Sequence, residues 1–96
     1  MNEKPDFQRA LGHALTHALA HLDSLPDSPV AATASLATLR ERLARPLAAD
    51  GVPAEQVIDE LVADTAGGIM GSAGGRFFAW VIGGALPAAL AADWLA

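Results

Sequence analysis

The fold class of this chain follows from residues 6–25, whose sequence is DFQRALGHALTHALAHLDSL. Apolar side chains recur in this stretch at steps of three or four residues, namely Phe7, Leu11, Leu15, Leu19 and Leu22. That spacing predicts an amphipathic helix with one buried apolar stripe, which the alanines at 10, 14 and 18 widen. Asp6 is the expected N-cap, and the turn residues of segment 26–29, PDSP, are expected to end the helix.

Two further helices are predicted before residue 68. Ser35 is suited to cap a second helix that runs to about Arg45, with Leu36, Leu39 and Leu43 as its buried edge. A third helix should start at Pro53, a favourable first-turn residue, and end at the glycine pair 67–68. Its expected inner face consists of Val57, Ile58, Leu61 and Val62.

The character of the sequence changes after the third helix. Residues 77–82, FFAWVI, are aromatic and β-branched, which favours an extended conformation, and Gly83 and Gly84 interrupt the run. A last helix is predicted to start near Pro87 and to be still running at Ala96. We therefore expect a mainly α chain in two parts, a helical segment over 1–68 and a glycine-rich extended segment with the start of a truncated helix over 69–96.

Composition restricts the possible functions. The chain has 96 residues, 52% of them hydrophobic, with no cysteine and a net charge of −5. That length allows one small domain, and without a basic stripe we expect no nucleic-acid partner. The N-terminus lacks the basic start and apolar run of a signal peptide, so a cytoplasmic location is expected. Residues 77–92 carry no charge and leave a small membrane-associated protein as an alternative, although a buried enzyme segment explains them better.

Ionisable side chains offer one candidate metal site. His13, His17 and His21 follow one another at four-residue steps and share one helix face, a spacing that can bind a metal. They lie roughly opposite the leucine stripe and no cysteine completes a site, so we expect a solvated polar face and no metal. The acidic residues at 59, 60 and 64 are likewise expected to lie on an exposed helix face.

The glycines of segment 71–75, GSAGG, do not form a nucleotide-binding motif. They lack the Gly-Lys-Ser/Thr ending of a phosphate-binding loop and the spacing of a dinucleotide fingerprint. Close approach of neighbouring backbone is the better interpretation.

Residues 75–95, GRFFAWVIGGALPAALAADWL, resemble the N-terminal region of the group II pyridoxal-phosphate-dependent amino-acid decarboxylases, the family of aromatic amino-acid and glutamate decarboxylases. Members of the family show a double aromatic, a short loop and a Pro-Ala-x-Leu-Ala-Asp helix start. Upstream, the order of elements is similar, including the LRERL helix at 39–43. Family members usually carry a proline before the arginine or aromatic pair, where this chain has Gly75.

The resemblance covers nearly the whole chain but only about the first fifth of such an enzyme. It implies the N-terminal part of a fold-type-I pyridoxal-phosphate transferase, a homodimeric carboxy-lyase acting on an amino acid. It also implies that part of the segment lines the substrate pocket, namely Phe78, Trp80, Val81, Ile82, Gly83 and Gly84. The family holds its cofactor on a lysine far downstream, and the single lysine here is Lys4, so we expect no catalysis by this chain alone. The alternative is a free-standing helical module that associates with itself through residues 77–95.

Overall fold

The structure is a computed structural model, and it describes residues 4–78 and 84–96. These residues form four helices: α1 (Lys4–Ser24), α2 (Leu36–Leu43), α3 (Ala54–Thr65) and α4 (Pro87–Leu95). No strand occurs in the two described ranges, so the prediction of a mainly α chain is confirmed. Phe77 and Phe78 belong to no helix or strand, and the rest of the predicted extended run, residues 79–82, lies outside the described residues.

Helix α1 starts earlier than expected. It begins at Lys4, so Asp6 is not the N-cap but lies in the first turn, where a carboxylate suits the helix dipole. The Asp6 carboxylate also accepts a hydrogen bond from Arg9 one turn later. At the other end the Ser24 hydroxyl donates to the His21 carbonyl at 2.8 Å, and the helix ends where the predicted turn residues begin.

Helices α2 and α4 begin where the sequence predicts. Ser35 is the N-cap of α2, and its hydroxyl oxygen accepts a hydrogen bond from the Thr38 amide at 3.1 Å. The helix ends at Leu43, two residues before the expected end. Pro87 opens α4, where its fixed backbone angle suits a first turn.

The C-terminal end of α3 ties two segments of the chain together. Pro53 is the N-cap of this helix, and the chain leaves it through Gly67, whose φ of +80° lies in the left-handed region that favours glycine. The Gly67 carbonyl accepts hydrogen bonds from the amides of Thr33 at 2.8 Å and Ala34 at 2.9 Å. The glycine that ends α3 therefore also fixes the segment leading into α2.

Helix α3 is the centre of the packing, because both α1 and α2 lie against it. The predicted buried stripes are nevertheless wrong. No apolar side chain in the described ranges is fully buried, and on α1 Phe7 is 65% and Leu11 55% exposed. The same holds for most of the expected inner positions of the other two helices, namely Leu36, Leu43, Val57, Leu61 and Val62.

The reason lies in which side of α1 meets α3. The half-buried positions of α1 include Ala10, Ala14 and Ala18, while the leucines next to them are exposed. Small side chains let two helices approach closely, whereas the leucine stripe points away from the only helix that packs on α1 within the described residues. The apolar stripe is therefore a surface rather than a core.

The chain is more open than a compact monomer of its mass. Its accessible surface is 7603 Å², whereas a compact protein of this mass exposes about 5,200 Å². Its radius of gyration is 15.7 Å, against about 12.5 Å for a compact chain of this length. Within the part of the chain that the structure describes, α4 packs on none of the other helices. No helix in that part has the length and hydropathy needed to cross a membrane.

Candidate functional site

A cluster of three ionisable side chains joins α1 to α3. The Nδ1 atom of His13 lies 2.9 and 3.0 Å from the two carboxylate oxygens of Asp59. The Nε2 atom of His17, one turn further along α1, lies 2.8 Å from Oδ1 of the same carboxylate. Residues four apart share a helix face, so one carboxylate on α3 engages two imidazoles on α1. We call His13, His17 and Asp59 the histidine–aspartate cluster.

The cluster favours the ionised form of its carboxylate. Hydrogen bonds from His13 and His17 are the largest causes that hold the pKa of Asp59 below its ordinary value of 3.8, and the charges of the two imidazoles add to the effect. Partial burial opposes this shift but is outweighed. The three side chains are part-buried, and water therefore screens the interaction.

The predicted solvated histidine face is partly covered at two of its three members. The side chains of His13 and His17 contact Asp59 on α3 and remain 42% and 35% exposed, whereas His21 is exposed and does not contact Asp59. The apolar periodicity of α1 favours burial of the leucine stripe, and that orientation would turn the opposite face, with its histidines, towards water. The alanines at 14 and 18 were the signal that this face could pack, because they flank the histidines on the side that meets α3.

The predicted exposed carboxylates of α3 are also engaged. Asp64 is largely covered and accepts a hydrogen bond from Arg45 at 2.7 Å, and Glu60 lies 3.6 Å from the same guanidinium. Arg42 donates to the Ala66 carbonyl at 2.8 Å. Two arginines near the end of α2 thus hold α2 to the C-terminal half of α3. Because the guanidinium of Arg45 is half exposed, this contact is a modest one.

The histidine–aspartate cluster joins α1 to α3. A hollow of about 370 Å³ adjoins it, lined also by Thr16. The Thr16 hydroxyl donates to the Gly12 carbonyl at 3.0 Å, so this hydroxyl is directed at its own helix and not at an imidazole. Among the described residues no three His, Cys, Asp or Glu side chains are arranged to hold a metal ion.

A larger apolar groove runs beside the cluster. It has a volume of about 690 Å³ and lies between α1, α3 and the segments around residues 28 and 69. Ala14 and Ala18 form one wall, while Ile58, Leu61 and Val62 form the other. The described residues that line it include no aspartate, glutamate, lysine or arginine, so the groove is suited to an uncharged occupant.

Arg76 fixes the segment that leads to the predicted pocket wall. Its guanidinium donates to the Leu25 carbonyl at 2.9 Å and also to the Ser28 carbonyl. Both carbonyls follow the end of α1, where backbone acceptors lack helical partners. The start of the double-aromatic segment is thereby attached to the turn after α1.

The structure describes only two of the residues predicted to line a substrate pocket. Phe78 is 89% exposed, and a Cβ atom added at Gly84 would lie 3.5 Å from the Ala73 carbonyl oxygen. The other four, Trp80, Val81, Ile82 and Gly83, lie outside the described residues. Their role in a pocket stays a prediction.

The residues of this chain do not fit pyridoxal phosphate by themselves. A Schiff base requires a lysine, and the single lysine, Lys4, is the first residue of α1. The described residues that line the histidine–aspartate cluster and the apolar groove include no lysine or arginine to hold a phosphate.

Comparisons of the chain with protein-family models, curated proteins and solved structures found no match.

Proposed function

We propose that this chain is the N-terminal segment of a cytoplasmic, pyridoxal-phosphate-dependent amino-acid decarboxylase, a lyase. In this proposal it contributes dimer interface and active-site wall and is not catalytic alone. Residues 75–95 carry the resemblance that gives the reaction class. The amino-acid substrate depends on residues outside this chain.

The exposed apolar stripe of α1 is the observation that carries the interface role. Phe7, Leu11, Leu15 and Leu19 are 65, 55, 45 and 51% exposed along one side of a 21-residue helix. Contiguous apolar surface of this kind is characteristic of a protein–protein interface. The remainder of a larger enzyme would cover this stripe. That cover accounts for the high apolar content of the sequence, which the four helices cannot bury among themselves.

A chimeric enzyme tests this proposal. Residues 1–96 replace the corresponding segment of a bacterial group II decarboxylase, and Leu11→Glu with Leu15→Glu is compared with the parent chimera. We expect the double variant to lose both its dimeric state and its decarboxylase activity, because it places two negative charges in a buried contact. Ala20→Glu, at an exposed position on the side of the same helix away from the stripe, is the matched control and should leave both unchanged. A chimera in which the double variant stays dimeric and active would overturn the interface role.

The active-site wall is tested in the same chimera. Trp80→Ala and Gly83→Val should lower kcat/KM at least tenfold while the dimer and the cofactor absorbance stay intact. That result is expected because an apolar wall and a glycine that permits close approach position the substrate. A loss of activity that only parallels a loss of dimer would make the segment structural.

The isolated chain provides a further check. Because Lys4 is the only lysine, the purified chain should form no stable aldimine absorbance band with pyridoxal phosphate and release no carbon dioxide from amino acids. Lys4→Ala is the control for adventitious aldimine formation. A band that survives this substitution would contradict the proposal.

A free-standing module that associates with itself is the second candidate. The observation in its favour is the accessible surface of 7603 Å², well above that of a compact chain of this mass. The activity of the chimera distinguishes the two candidate functions. A free-standing module would not restore decarboxylation to an enzyme that lacks its own N-terminal segment.

A further inference from the structure

We propose that α4 of one copy of this chain docks in the apolar groove of a second copy, and that the second copy returns the same contact. This reciprocal contact rests on the second candidate function, self-association, and names the two surfaces that would form it. It uses faces other than the leucine stripe of α1.

The groove offers an apolar wall that stays partly exposed in the described part of the chain. Leu61 and Val62 on its α3 side are 52 and 40% exposed, and Ile69 at its far end is 59% exposed. Its volume of about 690 Å³ exceeds what one side chain would fill. Several apolar side chains in a row, as a helix face provides, match such a space.

Helix α4 presents a face of that kind. Leu86, Leu90 and Trp94 follow one another at four-residue steps and therefore lie along one side of the helix. They are 70, 38 and 49% exposed, and no other helix covers them in the described part of the chain. Helix α4 and the groove are thus both apolar, and both are partly exposed among the residues that the structure describes.

The only ionisable side chain of α4 has a counterpart at the groove. Asp93 lies three residues after Leu90, at the border of the apolar face. On the groove side, the exposed His21 lies at the α1 wall, and it is the one histidine of the three that does not contact Asp59. A carboxylate that borders an apolar helix face and an imidazole that borders an apolar groove are complementary.

The surplus of exposed surface is larger than a standard dimer interface requires from each partner. The chain exposes about 2,400 Å² more than a compact protein of its mass. A stable interface removes about 800 Å² from each partner, and permanent dimers remove more. When two copies exchange α4, the dimer contains two equivalent contacts between α4 and the groove, and both contribute buried area. Such a dimer has two-fold symmetry.

Disulfide trapping tests the contact directly, because the chain has no native cysteine. Ala18→Cys in the groove wall and Leu90→Cys in α4 are made in separate, differently sized tagged chains, which are mixed and mildly oxidised. We expect a covalent heterodimer on a non-reducing gel. Ala20→Cys, on the exposed side of the same helix, is the matched control and should give at least fivefold less. No preference for Ala18→Cys over Ala20→Cys would overturn the proposal.

A double variant separates the second copy from the chain's own α4. With Ala18→Cys and Leu90→Cys in one chain at low micromolar concentration, reciprocal docking predicts a covalent dimer. A cross-linked monomer as the main product would mean that α4 docks within its own chain, and it would overturn the exchange.

Complementation gives a test that does not depend on trapping. Leu90→Glu disables α4 and Ala18→Trp fills the groove, and each should raise the dimer dissociation constant at least about tenfold. A mixture of the two variants keeps one intact contact, from the native α4 of one chain to the native groove of the other. Light scattering should therefore show heterodimer in the mixture at a concentration where each variant alone is monomeric. A mixture that stays monomeric, or a wild-type chain that is monomeric throughout, would overturn the proposal.

Discussion

The Nε2 atom of His17 and the Oδ1 atom of Asp59, which are 42 residues apart in sequence, lie 2.8 Å apart between α1 and α3. His13 reaches the same carboxylate from one turn earlier. The contact between the two helices therefore combines a shared polar anchor with small apolar side chains, and no apolar side chain in the described residues is fully buried there. Because the three side chains are partly exposed, water screens this anchor and each single contact contributes modestly.

Removing the imidazoles should weaken the contact between α1 and α3. His13→Ala and His17→Ala each take one hydrogen-bond partner from the Asp59 carboxylate, so we expect each to lower the urea midpoint of unfolding and the double variant to lower it further. His21→Ala is the matched control, because this residue continues the same four-residue spacing without contacting Asp59. Far-ultraviolet circular dichroism of the four variants measures the effect. Equal midpoints for His17→Ala and His21→Ala would contradict it.

Asp59 should also make the stability depend on pH. Because its pKa is lower in the folded chain than the ordinary 3.8, its ionised form stabilises the fold. This contribution is fully present above pH 3.8 and is lost as the pH falls through the folded-state pKa. Asp59→Asn should lower the midpoint at neutral pH and flatten the loss of stability in acid. An unchanged slope below pH 4 in this variant would contradict the assignment.

The sequence predicts the helices of this chain better than it predicts their faces. Ser35, Pro53 and Pro87 mark helix starts through local chemistry that a single sequence contains. Which side of α1 is covered depends on what α3 presents to it, and periodicity alone assigned the larger side chains to the interior. The leucine stripe turned out exposed because nothing within the described chain covers it.

The same limit applies to the candidate site. The four-residue spacing of the histidines shows that they share a face, but nothing in the sequence pairs that face with Asp59. Their partner becomes visible only when α3 is placed beside α1. The groove, too, arises from two helices and two loops that are distant in sequence.

The cap of α2 should be needed for that short helix. Ser35→Ala removes the oxygen that accepts from the Thr38 amide, and an N-cap of this kind contributes about 1 kcal/mol. An eight-residue helix has little else to hold its first turn. Ser35→Asp keeps an acceptor and should restore the unfolding midpoint. If alanine and aspartate at this position behave alike, the cap is not what holds the helix.

Gly67, in the turn after α3, should be the least tolerant of the glycines that the structure describes. A Cβ atom at Gly67 would lie 3.0 Å from the Ala34 Cβ and 3.2 Å from its amide nitrogen, and the φ of +80° disfavours any side chain. The left-handed conformation alone costs about 1–2 kcal/mol for a residue with a Cβ. Gly67→Ala should therefore lower the free energy of unfolding by at least about 1–2 kcal/mol. It should also weaken the hydrogen bonds that the amides of Thr33 and Ala34 donate to the carbonyl of residue 67. Gly51→Ala is the matched control, since a Cβ there meets nothing within 4 Å. Urea unfolding gives the free energies, and amide exchange at Thr33 reports the local loosening. Equal stability of the two variants, with Thr33 still protected, would mean that the link between α3 and the segment before α2 does not depend on the conformation of Gly67.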